Sequence, residues 1–242
     1  MNPETQTIRT REQMTERYFE TLCQMIRSQA YRELAASQCF AYALRHVPTL
    51  GYKRKVLEHV AEELEHYEIC VGLWNQIGGP GDLDAICHAR LAEGAVPLID
   101  SFLELGAAQF LYDCASAYQL REYENSTFDP YCEVVGKILE EEEGHESFGA
   151  EVLIEHCRDE SCRPEAQALF DKWLAVSLRS FGRPDSEGSR YAISVGLKTR
   201  DGAAIQQDYV DGLKPTMRLC GLRFPDLEKL GVEIAPDLDL SF

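Results

Sequence analysis

The sequence predicts an all-α protein: a ferritin-like four-helix bundle with accessory helices and an extended C-terminal tail. Three observations lead there. Apolar residues recur at threes and fours through four long segments, the period of an amphipathic helix. Breaker clusters separate those segments. Before residue 182, the alternation and closely spaced turns of a sheet protein are sparse. The 242 residues, 45% hydrophobic and 27% charged, suffice for a full core and are too apolar for disorder.

The first long helix is expected from about Thr10 to Leu44, with Tyr18, Leu22, Met25, Ile26, Ala36, Phe40 and Ala43 on its apolar face. It stops at HVPTLGY, where Pro48 removes a backbone donor. The second runs from about Tyr52 to Asn75 and ends in IGGPGD. A less regular piece reaches residue 90, and the third long helix follows from about Pro97 to Tyr123. ENSTFDP is turn chemistry, and the fourth helix runs from about Tyr131 to Cys157. Arg163–Phe181 reads as a fifth helix and 203–219 as one more. GRPDSEGSR, at 182–190, has linker composition. The expected organisation is therefore a di-metal helical bundle over 1–182, with a linker, short helix and surface tail over 183–242 packed on it.

With 24 basic against 41 acidic residues the net charge is −17, which repels phosphate backbones and anionic lipid. Nucleic-acid and membrane partners are not expected. No apolar run of about 18 residues exists, and the first residues lack the apolar core of a signal peptide, so a cytoplasmic location is expected. The nine cysteines never form a CxxC and read as reduced thiols, with Cys39, Cys70 and Cys114 as small packing residues.

The chemistry lies in two Glu-x-x-His pairs, Glu63 with His66 and Glu142 with His145. Positions three apart share a helix face, so each pair can present an oxygen and a nitrogen to one point. The first hairpin turns near Thr49: Glu33 lies sixteen residues before it, Glu63 and His66 fourteen and seventeen after. The second turns near Phe128: Asp113 lies fifteen before, Glu142 and His145 fourteen and seventeen after. At about 1.5 Å per residue, all six reach a similar depth in two antiparallel pairs. Glu104 and Glu122 sit about nine residues, roughly 13 Å, from that level, so Asp113 is the expected fourth carboxylate.

Helical phase places these six among apolar neighbours. Val135, Ile138, Leu139, Glu142, His145, Gly149 and Leu153 form one stripe; Val56, Val60, Glu63, His66 and Cys70 form another. Buried charge costs several kcal/mol unless paired or metal-bound. Four carboxylates and two imidazoles around two divalent cations balance charge, which is the di-iron pattern of ferritin-like bundles. A manganese or mixed Mn/Fe centre fits the same donors. Glu62, Glu65, Glu140, Glu141 and Glu143 read as solvated faces, and His46, His59, His88 and His156 as surface or capping residues.

AYRELAA around Glu33, VPTLGYKRKVLEHVAEELEH leading to His66, FLYDCAS around Asp113 and EEEEGHESFGAEVL around His145 together resemble one known family. They are similar, in order, to the metal-bearing helices of the catalytic subunits of bacterial multicomponent phenylacetyl-CoA epoxidases, ferritin-like di-iron monooxygenases of phenylacetate catabolism. FGRPDSE and VGLKTRDGAAIQQDYVDGLKPTMRLCGLRFPDLE resemble that family's C-terminal segment, where a strand-like lysine-containing stretch precedes a short helix; the likeness spans about residues 18–230. It implies O2 as co-substrate and oxygen insertion into an organic substrate such as an aromatic acyl-CoA. It also implies a reductase, an oligomeric assembly and a noncatalytic helical partner subunit. Two other readings use the same residues or part of them. One is a stand-alone di-iron or Mn/Fe oxidase or ferroxidase; the other is a noncatalytic subunit, which would be expected to lack part of the ligand set.

Overall fold

The computed structural model describes residues 7–94, 97–183, 185–227, 231–232 and 238–241. Their elements are α1 (Glu16–Ala43), α2 (Leu50–Gln76), α3 (Leu83–Glu93), α4 (Phe102–Ala108), a π-helical turn (Gln109–Asp113), α5 (Cys114–Leu120), α6 (Asp129–Cys157), α7 (Arg163–Ser180), α8 (Glu187–Ser194) and α9 (Gly202–Cys220). The all-α expectation holds. Among the described residues, β-type pairing is confined to an isolated parallel bridge between Ile8 and Phe128.

Caps set the helix starts. Residues Arg11–Gln13 form a 3-10 turn, and α1 begins only at Glu16, where the Thr15 side chain accepts from the Tyr18 N–H. Thr49 caps α2 in the same way through the Tyr52 N–H at 3.2 Å, two residues earlier than expected. Pro130 occupies the first turn of α6, where a missing N–H costs nothing. Gly221 (φ 68°) ends α9 in the left-handed region that favours glycine.

Three local expectations need correction. The less regular piece before residue 90 contains α3, capped by Asp82; its buried side chains are Leu83 and Cys87, too few to set up a periodic pattern. The polar linker contains the start of α8, whose buried residue is Ala192. The strand-like stretch expected before the last helix is instead the end of α8 and a turn, with Leu197 buried. Part of the proposed surface tail, 228–230 and 233–237, lies outside the described residues. In the rest, Leu227 and Val232 are buried in the core.

Helices α1 and α2 pair as one hairpin, and the α4–α5 segment pairs with α6 as the other. The apolar interior forms two clusters. One holds Leu22, Ile26, Leu34, Cys70, Ile138 and Leu139; the other holds Phe40, Val56, Phe110, Phe148 and Leu153. On every bundle helix the chain passes from one cluster to the other at the level of Glu33, Glu63–His66, Asp113 or Glu142–His145. A polar layer therefore divides two dry layers. Helix α9 adds Tyr209, Val210, Leu213 and Met217 to the second cluster, and the Tyr209 hydroxyl donates to the Leu111 carbonyl at 3.0 Å.

The third long segment carries two other buried carboxylates, both committed elsewhere. Glu122 accepts from Arg200 and Thr199. Glu104 pairs with Lys172 and accepts from the Trp173 indole at 3.2 Å and the Asp100 N–H at 2.8 Å. Burial pushes the Glu104 carboxyl up, but Lys172 and these donors outweigh it and hold its pKa below the usual value. Glu104→Ala is expected to cost about 2–3 kcal/mol by orphaning two donors, read as a lower urea midpoint, with Glu104→Gln costing less than half as much. Because its folded pKa is depressed, the wild-type contribution is complete above the ordinary glutamate value of about 4.3. It is lost as pH falls through the lower folded value.

Candidate metal centre

All six side chains singled out by spacing converge in the polar layer. Glu33, Glu63, His66, Asp113, Glu142 and His145 are each at most 2% exposed. Their donor atoms form two groups, Glu33–Glu63–His66–Glu142 and Glu63–Asp113–Glu142–His145; within each, one atom per residue lies within 4.8 Å of every other. Glu63 and Glu142 belong to both. His66 Nδ1 stands 3.8 Å from Glu33 Oε2 and 3.9 Å from Glu142 Oε1. His145 Nδ1 stands 3.2 Å from Glu63 Oε1 and 3.7 Å from Asp113 Oδ2. The two imidazole centroids are 6.5 Å apart.

The donors are poorly satisfied by protein alone. Both Glu63 carboxylate oxygens, Glu142 Oε2, Asp113 Oδ2 and the Nδ1 atoms of both histidines are buried without a hydrogen-bond partner. Orphaned buried polar atoms are rare, and these all face one small volume. Burial, then repulsion from neighbouring carboxylates, pushes Glu63, Asp113 and Glu142 well above the usual carboxyl range. For Glu33, burial also acts upward, but the His66 hydrogen bond and charge outweigh it and hold the carboxyl low. His66 is pushed up to about 10: its neighbours Glu33, Glu142 and Glu63 overcome the opposing effect of burial. Four acids gathered out of water with two imidazoles fit a pair of divalent cations, which would cancel the charge and occupy the orphaned atoms.

The far nitrogen of each histidine is held by the opposite hairpin. His66 Nε2 lies 2.8 Å from Glu141 Oε2 on α6, and His145 Nε2 lies 2.9 Å from Glu62 Oε2 on α2. Glu62 and Glu141 are thus half-buried orienting groups, not the solvated residues expected; each precedes a ligand-type Glu by one position and so sits at the edge of the same face. The His145 hydrogen bond holds the Glu62 carboxyl below its usual range. Such partners fix the tautomer with Nδ1 free as a donor. Glu33 is oriented too, accepting from Gln29, which in turn accepts from Arg32.

His59, expected at the surface, is instead fully buried, its ring 4.2 Å from that of His145. Its Nδ1 meets Gln109 at 2.7 Å. Burial, then the neighbouring His145, pushes His59 down to about 3, so it is neutral. One signal was available, since His59 lies seven residues before His66 and so on nearly the same face. Gln109 opens the π-helical turn, which shifts the phase of the third segment just before Asp113. Single π-turns concentrate at functional sites, and sequence periodicity does not reveal them.

A separate apolar cavity of about 180 Å³ flanks this layer, lined by Ala36, Cys39, Phe40, Tyr112, Trp173 and Val176 among others. Phe40 also stands edge-on to His145 with centroids 6.3 Å apart. Lys53, Arg54 and Lys55 are exposed on the first turns of α2.

Changing Glu141 or Glu62 to Gln is expected to weaken divalent-metal binding about 10- to 100-fold while leaving the fold intact. Competition against a chromophoric chelator measures this; unchanged affinity in both variants would remove their orienting role.

Comparisons with known proteins agree with this geometry. The sequence is 22% identical over 221 residues to a subunit of the 1,2-phenylacetyl-CoA epoxidase of Escherichia coli (strain K12), a match covering 88% of this chain and 71% of that relative. Residues 1–233 match the family model described as phenylacetic acid catabolic protein. With the match running through all four bundle helices and the C-terminal segment, the chain belongs to the phenylacetic acid catabolic protein family.

Proposed function

We propose that this chain is the oxygen-activating component of a multicomponent monooxygenase, with two iron ions held by Glu33, Glu63, His66, Asp113, Glu142 and His145. The observation that carries the reading is the pair of overlapping buried donor groups that share Glu63 and Glu142. On this reading those two carboxylates bridge, while Glu33 with His66 and Asp113 with His145 complete the two ends. The bound iron pair supplies reduction of O2, one oxygen atom entering an organic substrate and the other leaving as water with two electrons and two protons from a separate reductase.

The protein's own contribution is geometry, charge balance and dryness. Glu62 and Glu141 hold the imidazoles, and the shorter reach of Asp113 leaves coordination space that a glutamate would fill. The apolar cavity beside Phe40 and Tyr112 excludes water and can seat an apolar group at the edge of the layer. Its volume of about 180 Å³ suits a single ring, since an apolar cavity of about 150 Å³ takes up benzene. An aromatic acyl-CoA is therefore the proposed substrate, supported by the relative's name as a phenylacetyl-CoA epoxidase component. That relative works as one of several subunits by its name, which supports a noncatalytic helical partner and an oligomeric assembly here. A cytoplasmic setting is supported by nine free thiols, and among the described residues no helix is long and apolar enough to cross a membrane.

The test supplies iron-loaded protein with a reductase, its helical partner, phenylacetyl-CoA and 18O2. Incorporation of one labelled atom per turnover supports the proposal. Consumption of O2 with iron oxidation but no labelled product favours a ferroxidase and overturns it.

A further inference from the structure

A second concave site lies away from the apolar cavity, where α1, α5, the end of α7 and α8 meet. It has a volume of about 350 Å³, within the range of small-molecule sites (about 300–1,000 Å³). On a chain of net charge −17 its lining is unusual: it contains Arg32, Arg183 and Lys198 and no acidic residue. Hydroxyl and amide groups of Ser28, Ser180, Ser189 and Gln119 surround them.

Several donors in this lining lack an acceptor. The Arg32 guanidinium is clamped through Nη1 by Gln119 at 2.6 Å and through Nη2 by Gln29, which leaves Nε buried and unpartnered. Ser189 Oγ is also buried without a partner. Burial lowers the Lys198 pKa despite the nearby charges of Asp201 and Glu122. Both of those carboxylates are committed: Glu122 to Arg200 and Thr199, Asp201 to the backbone N–H groups of Ala203, Ala204 and Asp185. Unsatisfied donors of this kind are costly, and an anionic acceptor converts them into charge-assisted hydrogen bonds.

We propose that this pocket binds the phosphate group of a small molecule, received by Lys198, Ser189 and the Nε of Arg32. Phosphate matches the site because it offers several acceptor oxygens to donors on three separate elements, and the remaining volume admits an organic portion. The site is independent of metal loading, although Arg32 is joined through Gln29 to Glu33.

Calorimetric titration of the metal-free full chain with inorganic phosphate and, separately, with ADP tests this. Saturable binding of one ADP or one phosphate per chain is expected, weakened about tenfold or more in both Lys198→Met and Ser189→Ala. Lys53→Met, on the exposed start of α2, is expected to bind as wild type. Saturation by phosphate alone identifies the free ion as a sufficient ligand; saturation only by ADP identifies an organic phosphate. No saturation by either below about 10 mM, or binding unchanged in Ser189→Ala and Lys198→Met, overturns the proposal. Circular dichroism confirms folding, and Ser189→Ala keeps the test decisive if Lys198→Met does not fold.

Discussion

Wild-type protein loaded anaerobically with ferrous iron is expected to take up two ions per chain, and the double variant His66→Ala, His145→Ala to take up essentially none. Each imidazole closes one of the two donor groups, and its removal leaves carboxylates alone to hold a cation in a layer shielded from solvent. Mössbauer and optical spectra before and after oxygen exposure count the ions and distinguish iron sites from adventitious binding. Uptake well below two in the wild type would end the dinuclear reading. Loading should also stabilise the fold, because binding to the native state alone adds about 4.1 kcal/mol at a thousandfold excess over Kd. For a chain of this size, about 2–4 °C per kcal/mol places the fall in Tm on chelation at roughly 10 °C. The direction follows from the structure: metal-free, Glu63, Asp113 and Glu142 are buried together with their repulsion uncompensated.

Gly149→Ala is expected to be the most damaging conservative change in the bundle. An ideal Cβ at Gly149 would lie 2.3 Å from the Phe110 backbone nitrogen and 2.6 Å from the Gly106 carbonyl oxygen, both main-chain atoms of the facing segment. A rotamer change cannot relieve that contact, so α6 and the π-helical turn must separate. Alanine at an open helical glycine would instead gain about 0.5–1 kcal/mol. Overpacking against backbone reverses the sign, and a net loss of about 3 kcal/mol or more is expected in urea denaturation. The same displacement moves Gln109 and Asp113, so iron uptake should fall with stability. Gly136, on α6 with nothing within 4 Å of its Cβ position, is the control: Gly136→Ala should be neutral or stabilising. Equal behaviour of the two variants would show that the close approach at Gly149 is not structural.

Much of this architecture is legible in one dimension. The long helices, their order and the hairpin turns near Thr49 and Phe128 follow from apolar period and breakers, because both are local properties of the chain. Spacing also selects Asp113 over Glu104 and Glu122, and the structure places those two in ion pairs with Lys172 and Arg200. Helix α3 is invisible to periodicity because two buried side chains establish no period. Glu62 and Glu141 look solvent-facing in sequence because they flank the buried stripe by a single position, and only the opposite hairpin supplies the imidazole that each one holds.

The sequence by itself determined the helices, their pairing and the six donors at a common depth, since rise and phase along a regular helix are functions of residue number. Tertiary structure decided what depends on contacts between helices. It buried His59 against His145, crossed Glu62 and Glu141 to the opposing histidines, and used the π-helical turn before Asp113 to reset the phase. It also gathered Arg32, Ser189 and Lys198 around one pocket. These residues are distant along the chain, and no periodicity relates them; their meeting is set by how close two helices approach, which the glycine at 149 controls through atoms it lacks.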